Sequence, residues 1–205
     1  CEDGIARLWN PDNGGPVGEP LMHKDDIVSA SFSPASRLLV TTAKDATAKL
    51  WSAESSRPVG QPLLHEGTMT HGEFSADGRM VVTTSTDNSA WIWDVKTGRP
   101  ICQPLREQEG IVHASFSPDG SRVVTASLDR TAKIWDAKTG SLLETLVGHG
   151  AEVWRAQFSP DGARVSTASW DRTAKIWDAG LYGPELLDAA YDLLTDEQRA
   201  EVERE

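Results

Sequence analysis

The chain has 205 residues, a formal net charge of −11 at pH 7 and 39% hydrophobic side chains, enough for a core. No stretch approaches the roughly 20 apolar residues of a membrane span, and the negative charge disfavours non-specific attraction to nucleic acid or to an anionic membrane. The opening residues do not read as a secretory leader. Cys1 and Cys102 fit no metal or disulfide spacing. They are read as free thiols of a reducing, cytoplasmic compartment, with a bridge between them as the minor alternative.

In chain order, Cys1–Trp9 reads as one strand and Val17–His23 as a second. Three longer units then run to about Leu64, Leu105 and Val147. The unit from Ile111 is the best formed. Ile111–Ser117 alternates apolar and polar residues, as a strand with one buried face does. Ser117-Pro118-Asp119-Gly120 is a tight turn, with Pro presetting φ and Gly accepting φ > 0. Arg122–Ser127, Thr131–Trp135 and Ser141–Val147 supply three more strands. Four strands in about 40 residues is the content of a propeller blade. Val153–Trp177 gives three further strands with no clear fourth.

After Asp178 the composition changes. Residues 179–205 hold eight acidic residues and two arginines, so the acidity is largely a property of this end. Gly183-Pro184-Glu185 reads as a helix start. Leu186, Leu187, Ala190, Tyr191 and Leu194 fall on one helical face, and Thr195-Asp196-Glu197-Gln198 fits a capping box. The expectation is two units: 1–179 as the strand-rich array and 180–205 as an acidic amphipathic helical tail. The tail would cover the last strand edge or dock another domain.

One periodicity organises the array. Trp9, Trp51, Trp93, Trp135 and Trp177 stand 42 residues apart, and Asp129–Asp136 repeats as Asp171–Asp178. Phe32, Phe74, Phe116 and Phe158 recur at the same interval, as do the Ser-Pro-Asp-Gly turns at 117–120 and 159–162. A period in the low forties with a recurring Trp-Asp marks a repeat architecture. These motifs resemble the WD-repeat family of β-propellers over roughly residues 1–178. The resemblance implies an all-β WD-repeat β-propeller with four-stranded antiparallel blades, about five repeats present with the first and last incomplete, plus the short α-helical tail. In that family a ring usually closes with about seven blades. Because Trp9 ends a third strand so early, the sequence is expected to be an N-terminally truncated piece of a larger protein, or one of two copies that complete a ring.

His23, His65 and His149 stand 28 residues before a repeat Trp, and Glu107 holds that slot before Trp135. Thr41, Thr83, Thr125 and Thr167 stand ten before the Trp, and Asp45, Asp87, Asp129 and Asp171 six before it. By resemblance, Trp51, Trp93, Trp135 and Trp177 each end a hydrogen-bonded chain through Thr and His to the turn Asp. Such a chain satisfies polar groups in an apolar wedge. An active site is needed once, not in every blade, so no catalytic role is assigned. With Glu107 the chain is expected to be incomplete and its blade looser. His71 and His113 occupy equivalent first-strand slots, but neighbouring blades are expected to hold them apart without a third ligand, so no metal and no cofactor is expected. Trp91, in a slot otherwise held by Lys49, Lys133 or Lys175, is expected to be filler between blades.

Variation concentrates at positions that the family's geometry places on the narrower, top face. Trp154, Trp170, Glu152, Leu128, Val112, Lys44 and Asp26 are the candidate partner-binding residues. The two tryptophans lie off the repeat register and suit a hot spot, or pack on each other. The expected function is a non-catalytic scaffold that binds a protein or peptide. The alternatives are a regulatory or sensor propeller of a larger multidomain bacterial signalling protein, with a kinase, protease-like or nucleotide-binding part upstream, and a self-assembling propeller completed by a second copy or by missing N-terminal blades.

Overall fold

A computed structural model describes residues 3–180. Cys1, Glu2 and the tail from Leu181 lie outside the described residues, so the helical expectation and most of the 180–205 unit do too. The described residues form antiparallel β-sheets and no helix. A two-stranded sheet pairs β1 (Ile5–Trp9) with β2 (Pro16–Met22). The next is four-stranded: β3 (Ile27–Phe32), β4 (Leu38–Ala43), β5 (Thr47–Ser52) and β6 (Pro58–Leu64), in that order. The third runs β7 (Met69–Phe74), β8 (Met80–Ser85), β9 (Ser89–Asp94), with its outer position shared by β10 (Arg99–Pro100) and β11 (Leu105–Arg106). The fourth is β12 (Ile111–Phe116), β13 (Arg122–Ser127), β14 (Thr131–Asp136) and β15 (Leu142–Val147). The last holds β16 (Val153–Phe158), β17 (Arg164–Ser169) and β18 (Ala174–Asp178).

The outer strand of the third sheet is split at an irregular position of the repeat. In β2 and β6 the strand passes a register shift with glycine in the left-handed region, Gly18 at φ 63° and Gly60 at φ 74°. Forty-two residues on, the position is Cys102. There the ladder with β9 is interrupted between Pro100 and Leu105.

Each core lies between consecutive sheets. Val82, Ile92 and Leu105 pack against Ile111, Phe116 and Trp135. Val124, Ile134 and Leu146 pack against Val153 and Phe158. Val40, Leu50 and Leu63 meet Met69, Phe74 and Trp93. Leu8 and Leu21 meet Leu39 and Trp51. The first strands β3, β7, β12 and β16 also pack on one another, which makes them the shared inner edge of the array. β8 and β13, sandwiched on both faces, are buried almost throughout, whereas β17 alternates buried and exposed. The register shows why. Ile92 and Ile134 are fully buried, but their equivalent Ile176 is 73% exposed, because no described sheet follows the last. At the other flank Phe32 is 52% exposed while Phe74, Phe116 and Phe158 are buried.

Candidate functional site

Three sheets carry the same buried polar chain. Trp51 Nε1 donates to Thr41 Oγ1 at 2.8 Å, and His23 Nε2 lies 2.7 Å from that hydroxyl. Thr41 has one proton and two lone pairs, so it can accept from Trp51 and donate to a His23 that carries its proton on Nδ1. His23 Nδ1–H then points at Asp45, 3.3 Å away. Thr83, His65, Asp87 and Trp93 repeat this arrangement, as do Thr167, His149, Asp171 and Trp177. That donor order goes with neutral imidazoles at His23 and His65. Burial, outweighing the attraction of Asp45 and Asp87, accordingly lowers the pKa of His23 and His65. Burial pushes Asp45 and Asp87 up, yet hydrogen bonds from Thr47 or Ser89, from backbone N–H groups and from the histidine bring both below their ordinary range.

The fourth sheet closes its chain by other means. Trp135 Nε1 donates to Thr125 Oγ1 at 2.9 Å, and Thr125 donates to Glu107 Oε1 at 2.6 Å. Lys133 Nζ contacts the other Glu107 oxygen and lies 3.0 Å from Asp129 Oδ2. The expected missing link is therefore supplied by Lys133, which the sequence places in the same slot as Trp91 of the preceding sheet. Desolvation pushes the Glu107 carboxyl up to about 7, against the opposing pull of Lys133 and Thr125. Burial acts to lower Lys133, but Glu107 and Asp129 hold it above its ordinary value. Trp91 itself is half-buried and packs 5.6 Å from Trp93.

The variable positions share one backbone device. β3, β7, β12 and β16 each contain a bulge, at Val28, Thr70, Val112 and Trp154. A bulge leaves one residue unpaired and re-aims its side chain. In each of these four sheets the residue before the turn Asp donates its N–H to a carbonyl near the start of the first strand: Lys44 to Asp26, Thr86 to Thr68, Leu128 to Gly110, Trp170 to Glu152, at 2.9–3.0 Å. The backbone is constant there and the side chains are not. Trp154 and Trp170 meet with ring centroids 5.7 Å apart, yet they stay 47% and 67% exposed. Leu128 and Glu152 join them around a cleft of about 230 Å³. The other candidates do not join this group. Asp26 and Lys44 pair with each other at 2.8 Å in the first four-stranded sheet, and Val112 packs against the core between the fourth and last sheets.

His71 and His113 depart from expectation. Adjacent first strands do not hold them apart: the imidazoles stack with centroids 4.3 Å apart. A third donor is also present. Glu73, two residues beyond His71, brings Oε2 to 3.6 Å from His71 Nε2. Strand alternation puts His71 and Glu73 on one face, and the first-strand packing brings His113 to them. The sequence reading missed Glu73 because its slot is filled by Ser31, Ser115 or Gln157 elsewhere, with nothing in the period to mark it.

The sequence profile of the family described as WD domain, G-beta repeat (WD40) matches residues 15–52, 63–94, 101–136 and 140–178. The chain belongs to the WD-repeat family. A crystal structure of the computationally designed Ika8 protein is similar to it, with a TM-score of 0.78 and 28% identity, covering 86% of this chain and 53% of that one. The WD-repeat chain thus spans about half the length of that designed protein. No curated protein matches it. WD-repeat domains are generally non-catalytic modules that mediate protein–protein interaction. The Trp-Thr-His-Asp chains fit that description, since they recur with the blades and are buried within them. Among the described residues no helix is long and apolar enough to cross a membrane.

Proposed function

We propose that this WD-repeat chain is a non-catalytic scaffold that binds a protein or peptide at the cleft formed by Trp154, Trp170, Leu128 and Glu152. The exposed tryptophan pair carries the reading. Neither residue belongs to the repeat skeleton, each has a large apolar surface in water, and a bulge aims one of them outward. Two rigid aromatics beside one aliphatic residue and one carboxylate suit an apolar anchor flanked by a positive charge or N–H donor. Selection from a displayed peptide library should yield ligands of that composition. Trp154→Ala/Trp170→Ala should weaken them at least thirtyfold, about 2 kcal/mol for a hot spot, with the melting temperature little changed. Selected peptides that bind the double variant equally well would remove the proposal.

The flanks support a second reading. Ile176 and Phe32 expose surface that their equivalents bury, and full burial of such a side chain is worth about 1.5–3 kcal/mol. These faces suit further blades, whether from more of the same protein or from a second copy. Light scattering tests the latter, and a monomer at high concentration excludes it. Membership in a larger signalling protein rests on the resemblance alone.

A further inference from the structure

We propose that His71, Glu73 and His113 form a binding site for a divalent transition-metal ion of the zinc type, at the seam between the inner strands β7 and β12. The ligand atoms of the three side chains all lie within 4.8 Å of one another. Among the described residues, two buried side-chain polar atoms lack a hydrogen-bond partner, and they are His71 Nε2 and His113 Nδ1. Buried polar atoms are nearly always satisfied, so two orphans at one spot call for a ligand. His113 is only 8% exposed, and its Nδ1 has no protein partner to turn to.

The chemistry of the donors is consistent with a metal. The buried ring of His113 can give a metal ion the lone pair that a neutral imidazole carries. The Ala156 backbone hydrogen-bonds the same ring. With Nδ1 unpartnered, that bond falls to Nε2, the outer-shell contact that fixes tautomer and orientation in metal-binding histidines. Ser115 Oγ donates to Glu73 Oε1 at 3.2 Å, leaving Oε2 for an ion. Two imidazoles and one carboxylate suit zinc and leave a fourth position open. Glu73 and His71 are partly exposed, so an ion has a route in. Tetrahedral bonds of about 2.0–2.1 Å put donors roughly 3.3 Å apart. The rings must therefore slip out of their stack and Glu73 must swing inward. Arg155, in the equivalent slot of the next blade, opposes the ion with its positive charge. The site is therefore expected to bind less tightly than a closed structural zinc site.

This inference is independent of the tryptophan cleft. Chelator-treated protein titrated with zinc chloride in a calorimeter should bind one equivalent at this site, and its melting temperature should rise with zinc. Glu73→Gln sits on a partly exposed side chain and should leave the metal-free melting temperature unchanged while weakening zinc at least tenfold. His71→Ala/His113→Ala should abolish binding, with circular dichroism showing that the strands persist. Cobalt(II) in place of zinc should give visible d–d absorption without a thiolate charge-transfer band, which separates the site from Cys1 and Cys102. Absence of zinc binding, binding that survives Glu73→Gln and the double-histidine change, or a thiolate band would each overturn the proposal.

Discussion

The blades β7–β11 and β12–β15 use the same four slots to anchor a repeat tryptophan, and they fill one slot with opposite chemistry. In the first, His65 is a neutral relay between Thr83 and Asp87. In the second, Glu107 accepts from Thr125 and needs Lys133 to reach Asp129. The geometry of the Trp–Thr end hardly differs, 2.8 Å against 2.9 Å. The repeat therefore preserves hydrogen-bond satisfaction rather than a residue type. A lysine four residues after the turn Asp is what lets a carboxylate replace a histidine.

The comparison breaks most sharply where the lysine is missing. Lys133→Met should leave Glu107 buried without a counter-charge and cost about 3 kcal/mol or more in urea denaturation at pH 8. His65→Glu should cost a similar amount, because its blade has Trp91 in the lysine slot; a loss under about 1 kcal/mol in either variant would mean that the pairing is irrelevant.

The two blades also differ in the sign of their pH dependence. Glu107 titrates at about 7 in the folded chain against an ordinary 4.5, so the native state holds the proton more tightly. Its contribution is complete below about 4.5 and is lost as pH rises through about 7, by on the order of 1–3 kcal/mol. His65 has a folded pKa below 6.5, so the unfolded chain binds the proton more tightly, and its blade loses stability as pH falls below 6.5. Hydrogen-exchange protection at pH 5.5 and 7.5 should shift towards β12–β15 at the lower pH and towards β7–β11 at the higher. Equal shifts in both blades would contradict these assignments.

A milder change sharpens the same contrast. Glu107→His should restore the common relay, stay within about 1 kcal/mol of the parent at pH 7, and remove the decline in stability between pH 4.5 and 7. Lys49 already coexists with the His23 relay in the first four-stranded blade, so Lys133 is no obstacle. The smallest effect is expected at Trp154→Ala/Trp170→Ala, within about 0.5 kcal/mol at such exposed positions, and thermal unfolding checks it.

Much of this was legible in the sequence. A fixed interval and the Ser-Pro-Asp-Gly turns give the strands, because turn chemistry and alternation are local. The Trp, Thr, His and Asp slots are legible because repetition marks them. Glu107 was visible as an exception, but its remedy was not, since Lys133 looks like any other lysine of its slot until the carboxylate is seen beside it.

What the sequence alone determined, then, is the repeat: strand order, turn positions, and which residues belong to the skeleton. The tertiary structure decided everything that depends on two blades meeting. It stacked His71 on His113 and added Glu73, because packing of inner strands joins residues 42 apart, a distance that no local pattern encodes. It gathered Trp154, Trp170, Leu128 and Glu152 from neighbouring blades into one cleft and left Asp26 and Lys44 paired elsewhere. It also set Ile176 in water where Ile134 is buried, since burial depends on the next sheet and not on the residue itself.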